Sequence, residues 1–195
     1  DHILILENCY APMLEIVRFL LSHYQISFST YNPLDHSSIQ FQENTRLIWI
    51  ETPGSITMEI CDLKEISLLA KARGVLIGVD ATWSAGIAFS PFKVGADFAI
   101  YALTKYQSGG SDVFMGAMTT HNKEIYDKLF LARTTYGIAV SPEDAYLILR
   151  SLPHLKLRYL SQDKSARKIA TWLKSQPFVD RVLHPAIEDC PGHEV

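Results

Sequence analysis

The sequence predicts an α/β fold, a mostly parallel sheet with helices on both faces. One observation carries that expectation. Apolar strand-like runs alternate with helix-like segments through the first hundred residues. Such alternation is the pattern of parallel strands joined by crossover helices, which bury the sheet on both sides.

The elements follow in order. Ile3 to Leu6 is a short buried strand, and Met13 to Tyr24 carries Leu, Ile, Val and Phe at helical spacing. Ile26 to Tyr31 is a second strand ending in "NP", and "NPLDHSSIQFQEN" is a loop with a short helix. "RLIWIE" is strand-like, and "ETPGS" turns the chain after it. Asp62 is placed to cap a helix running to about Lys71, which Gly74 ends. "VLIGVD", "DFAIYA" and "VFMGAMTT" are three further strands, two of them separated by loops rather than helices. Asn122 to Arg133 is helical, and so is "SPEDAYLILRSL", with Ser141 as N-cap and Pro142 at the first helical position. Beyond Pro153 an amphipathic helix runs to about Leu173, and "FVDRVLHP" starts a fresh strand. The break at Leu152–Pro153 divides a large domain, residues 1–152, from a linking helix and the start of a smaller α+β domain, residues 153–195.

Bulk properties exclude several classes of partner. A formal charge of −3 supplies no basic field for nucleic acid or for a membrane surface. No apolar run reaches the roughly 18–20 residues that span a bilayer. Three widely spaced cysteines, Cys9, Cys61 and Cys190, make no disulfide framework, which points to a reducing, cytoplasmic setting. Seven histidines lack partners at metal-ligand spacing, and neither a Walker A element nor GxGxxG is present. The chain opens on a core strand, "DHILIL", and stops at "CPGHEV"; the expectation is a piece of a longer protein.

In open α/β sheets ligands bind at the carboxyl ends of the strands. Asp80 closes "VLIGVD", and Lys105 closes "DFAIYALTK". The two are either a structural ion pair or members of a site, where an apolar strand would leave each partly desolvated. A desolvated lysine is a usable amine nucleophile. Thr104 adds a hydroxyl, Ser108 to Ser111 add hydroxyls and Gly N–H groups of the kind that cradle anions, and Tyr10 offers a ring after the first strand. An amine, a carboxylate, an anion site and a stacking ring together suit pyridoxal phosphate. Trp83, three residues past Asp80, either lines that pocket or packs beside it. Trp49 and Trp172 read as packing residues.

"DATWSAG", "LTKYQSGGSDVFMG" and "ETPGSITMEICDL" resemble the Cys/Met-metabolism family of pyridoxal-phosphate enzymes, from "CYAP" through "DAYLILRSL" to "HPAI…GHE". The resemblance implies an aspartate-aminotransferase-like cofactor domain. It implies that Lys105 holds the cofactor as a Schiff base and that Asp80 pairs with the pyridine nitrogen. Tyr10 would stack on the ring and act with Lys105 in catalysis, while Thr104 would bind the phosphate. "PGSITME" is similar to the bacterial β-lyase branch, because γ-acting members usually carry Asn–Pro where this chain has Ser55–Ile56. Ala102 points the same way, since γ-acting members often place a Ser there. The implied activity is β-elimination of cystathionine to homocysteine, pyruvate and ammonia, within methionine biosynthesis. γ-Elimination or γ-replacement, and a truncated remnant without catalysis, are the alternatives.

The resemblance also implies a homo-oligomer, dimer or tetramer. It places a phosphate turn and a Tyr and Arg upstream of Asp1, and a substrate-carboxylate Arg downstream of Val195. Three positions depart from the family's usual pattern: Ala81 for Asn, Gly110 for His, and Leu103 for a smaller residue.

Overall fold

Six strands form one sheet: β1 (His2–Leu6), β2 (Ser27–Tyr31), β3 (Thr45–Glu51), β4 (Leu76–Asp80), β5 (Phe98–Ala102) and β6 (Gly116–Thr119). Their spatial order is β2-β1-β3-β4-β5-β6. The first five run parallel and β6 joins antiparallel to β5. The computed structural model describes residues 1–195, the side chain of Leu20 excepted. Leu4, Ile5, Leu6, Ile48, Ile50, Ile77, Val79 and Ala99 are fully buried, so consecutive residues of β1 are covered whichever face they point to. This is the reason the strands are apolar throughout instead of alternating.

Helices α1 (Ala11–His23) and α2 (Leu63–Lys71) make the crossovers β1 to β2 and β3 to β4. The two crossovers step outward in opposite directions. Right-handed connections of opposite sense place their helices on opposite faces of the sheet. Pro12 sits in the first turn of α1, where no N–H is needed. The Asp62 side chain accepts the Glu65 N–H at 2.9 Å and starts α2, whose Ile66 and Ala70 enter the core. Three helices follow the sheet: α3 (Lys123–Thr135), α4 (Pro142–Ser151) and α5 (Leu155–Lys174). Asn122 caps α3 and Ser141 caps α4 through side-chain oxygens.

Two expectations need correction. The strand "DFAIYA" stops at Ala102, and Thr104 and Lys105 lie in the turn beyond it, not on the strand. No strand forms in "FVDRVLHP"; these residues pair with neither edge strand, β2 or β6. The chain instead folds back onto the loop after β3. Ile60 N–H donates to Pro191 O at 3.0 Å, and the Cys190 thiol donates to Met58 O at 3.2 Å. Gly192, at φ +78°, lies against the Ile60 carbonyl so closely that a Cβ would collide with it.

Candidate active site

The sheet order reverses between β1 and β3, since β1 connects outward to β2 on one side and β3 outward to β4 on the other. The loops leaving the carboxyl ends of β1 and β3 therefore part at that point and leave a crevice, the usual ligand position in such sheets. Tyr10 follows β1, Glu51 ends β3, and the two meet across this gap: the Tyr10 N–H donates to Glu51 Oε2 at 2.7 Å. Tyr10 is the N-cap residue of α1 and is 53% exposed, beside this backbone anchor.

Asp80 ends β4 directly beside Glu51, its register partner. The Thr82 N–H donates to Asp80 Oδ1 at 3.0 Å, and the Thr82 hydroxyl accepts the Ala102 N–H of β5 at 2.9 Å. The Asp–x–Thr element thus has a mechanical meaning. Thr82 fixes the carboxylate with its backbone and ties the same turn to the next strand with its side chain. Asp80 makes no ion pair among the described residues, which removes the reading of Asp80 and Lys105 as a structural salt bridge.

Lys105 leaves β5 in a turn, its N–H donating to Ala102 O at 3.1 Å. Its side chain is exposed, not desolvated by an apolar strand, because the turn lifts it past the covered end of the sheet. Thr104 Oγ1 accepts the Met115 N–H at 3.2 Å and donates to Met115 O at 3.4 Å, so the hydroxyl bridges the turn to the segment before β6. Ser108 is buried and turned inward. Its hydroxyl donates to the carbonyls of Thr104 and Lys105, and accepts the Ser111 N–H. The anion cradle expected of Ser108 to Ser111 is in this respect a brace for the lysine turn.

Consecutive residues of α5 hold the two site loops. Arg158 Nη2 donates to Tyr106 O at 2.9 Å, next to Lys105, and to Ser151 Oγ at 2.8 Å; its Nη1 donates to Ser151 O at 3.1 Å. The Tyr159 hydroxyl donates to Trp83 O at 3.1 Å, in the loop after Asp80. The Tyr106 and Tyr159 rings pack 5.0 Å apart, and burial raises the phenol pKa of both. Gln107 Nε2 reaches Ala85 O at 3.4 Å and joins the loops directly. Trp83 serves here through its carbonyl as a strut, and its side chain lies near enough to Glu51 to favour the charged form of that carboxyl.

Thr82, Arg158, Tyr159 and Glu51 were not singled out in the sequence. Glu51 carried a visible signal, since it closes "RLIWIE" just as Asp80 closes "VLIGVD". Among the described residues no cluster of His, Cys, Asp and Glu suits a metal ion, and no helix is long and apolar enough to cross a membrane.

The site defines a class: a sheet-end crevice with a fixed carboxylate, a free amine on a braced turn, and a ring presented from the first loop. The chain belongs to the Cys/Met metabolism PLP-dependent enzyme family, whose model matches residues 1–195. It is 36% identical over 198 residues to a cystathionine beta-lyase of Haemophilus influenzae, covering all of this chain and 50% of that protein. It is 32% identical over 197 residues to a cystathionine gamma-lyase of Dictyostelium discoideum, covering all of this chain and 51% of that protein. The crystal structure of a cystathionine gamma-lyase from Lactobacillus plantarum, complexed with L-serine, superimposes with a TM-score of 0.96 at 26% identity, over all of this chain and 51% of that one. The chain spans about half the length of these relatives.

Pyridoxal phosphate, on which this family depends, suits the residues present. Asp80 offers an unpaired carboxylate, which matches a protonated ring nitrogen. Tyr10 is exposed, and the Lys105 amine is uncommitted by any ion pair among the described residues.

Proposed function

We propose that the protein containing this chain is a carbon–sulfur lyase that cleaves cystathionine by β-elimination to homocysteine, pyruvate and ammonia. The observation that carries the reading is that Asp80 ends β4, the lysine turn follows the adjacent parallel strand β5, and consecutive residues of one helix tie the loops after both strands. Pyridoxal phosphate, when bound, supplies a sink for the electron pair left as the substrate Cα proton departs. Each residue then has a role. Asp80 holds the proton of the ring nitrogen through its carboxylate. Tyr10 would stack on the ring, and Trp83 would line the cofactor pocket. Thr104 can turn its single hydroxyl hydrogen from the long Met115 bond to a phosphate oxygen, while its lone pair keeps the Met115 N–H. Lys105 Nζ takes the Cα proton and returns a proton to the sulfur as the Cβ–S bond breaks. Water then hydrolyses the resulting enamine to pyruvate and ammonia.

Ser55, Ile56 and Ala102 favour β- over γ-cleavage. Ser55 N–H donates to Asn8 O at 3.1 Å, two residues from Tyr10, so the distinguishing "PGSITME" loop stands at the rim of the crevice. The reading places the protein in methionine biosynthesis, in the cytoplasm, as a homodimer or homotetramer. Purified protein with Lys105→Ala should lose the cofactor's near-visible absorbance and all turnover. Product analysis of the wild type should find homocysteine and pyruvate; cysteine with 2-oxobutyrate would establish γ-cleavage instead. Retained absorbance and turnover in the variant would end the role given to Lys105.

A further inference from the structure

Glu51 is the one acid at the crevice with no place in the chemistry above. It is 4% exposed at the end of β3 and makes no ion pair among the described residues. Four groups face it. Asp80 is its register partner on β4. Tyr10, from the loop after β1, donates its N–H at 2.7 Å. Trp83, from the loop after β4, lies near enough for its side chain to oppose the rise in the Glu51 pKa. Cys9 lies close enough that its thiol, already raised by burial, is pushed up to about 12 with the Glu51 charge as the next cause.

A buried carboxylate without a cation is expensive, and a second carboxylate beside it adds repulsion. Two like charges at adjacent strand ends resist joint ionisation, so the pair readily keeps a proton. Burial raises Glu51 to about 7, the Tyr10 N–H opposes that shift, and the Asp80 charge adds to it. The proton therefore stays on Glu51 through mildly acid pH and leaves near neutrality.

We propose that Glu51 is a positioning residue for the cofactor site: its carboxyl fixes the backbone that presents Tyr10, and its proton decides whether one or two negative charges stand at the ends of β3 and β4. With one charge, Asp80 alone faces the ring nitrogen. With two, the field that holds a cationic ring nitrogen is stronger, while the folded protein itself is less stable. The inference rests on the cofactor reading, and its test separates the two.

Glu51→Gln keeps an oxygen for the Tyr10 N–H and cannot ionise; Glu51→Ala removes both functions. Thermal midpoints are measured on cofactor-free protein from pH 5.5 to 8.5, and pyridoxal phosphate affinity by quenching of tryptophan fluorescence. Because the folded carboxyl holds its proton more tightly than the unfolded chain, the wild type gains stability below pH 4.5 and loses it as pH rises through about 7. The wild-type midpoint should fall by about 4–8 °C across the range relative to Glu51→Gln. Glu51→Ala should bind pyridoxal phosphate roughly tenfold more weakly than Glu51→Gln at pH 6, the loss of one hydrogen bond at the Tyr10 anchor. Parallel midpoint curves for wild type and Glu51→Gln would overturn the charge assignment. Equal affinity in the two variants would overturn the positioning of Tyr10. If Glu51→Ala does not fold, the midpoint comparison with Glu51→Gln decides alone. Wild type that binds no pyridoxal phosphate would instead sink the cofactor reading, and the cofactor-free curves would still judge the proton on Glu51.

Discussion

Arg158→Met isolates the contribution of α5 to the site. The arginine spans two targets, the Tyr106 carbonyl beside Lys105 and the Ser151 pair at the end of α4, through three hydrogen bonds of 2.8–3.1 Å. Hydrogen bonds from a charged donor contribute about 1.5–3 kcal/mol when removal leaves the partner unsatisfied. Arg158 is half-buried, so water replaces part of what is lost, and methionine keeps most of the aliphatic packing. The net loss should be about 2 kcal/mol, measured as a lower denaturant midpoint at unchanged m-value. Lysine at this position keeps the charge but cannot span both carbonyl groups as the planar guanidinium does, and should restore less than half of the loss. A site readout accompanies the stability readout. Release of the Tyr106 carbonyl frees the turn that carries Lys105, and a shift of about 1 Å in such a group can reduce turnover roughly a hundredfold. Tyr159→Phe removes the matching strut at Trp83 O and should couple with Arg158→Met in a double-mutant cycle. An Arg158→Met protein within about 0.5 kcal/mol of wild type, or full rescue by lysine, would refute the account.

Two further predictions concern packing. Gly192→Ala should undock the C-terminal segment, since the new Cβ meets the Ile60 carbonyl and alanine resists φ +78°. A local penalty of about 2 kcal/mol corresponds to a roughly thirtyfold larger open population, read as faster tryptic cleavage after Arg181; an unchanged cleavage rate would count against the docking. Ile66→Ala, at a fully buried position of α2, should lower global stability by about 2–5 kcal/mol in a denaturant titration, and a loss below 1 kcal/mol would contradict the packing described.

What was readable in the sequence was local. The caps at Asp62 and Ser141, the apolar strands, and an acid closing β4 all rest on residues within a few positions of one another. What was not readable depends on separations the sequence does not display. Arg158 reaches Tyr106 across 52 residues, and Tyr159 reaches Trp83 across 76. The burial of Glu51 requires β3 to lie between β1 and β4 with the Cys9–Tyr10 loop folded over its end. Leu103 extends the hydrophobic run toward Lys105 in the sequence, yet the Ser108 brace turns the chain at that point. "FVDRVLHP" has strand composition, but a strand needs a partner edge, and composition does not supply one.

The three cysteines are all unpaired and at least 95% covered, each in a different part of the molecule: Cys9 beneath the Tyr10 loop, Cys61 at the start of α2, Cys190 in the returning C-terminal segment. Burial raises the pKa of every one of these thiols, so none offers a thiolate at neutral pH while its segment is closed. The native protein is thereby shielded from alkylation and oxidation without any disulfide. Each sulfur also marks when its own region breathes, so labelling kinetics followed by peptide mapping can time the opening of the crevice loop separately from that of the tail.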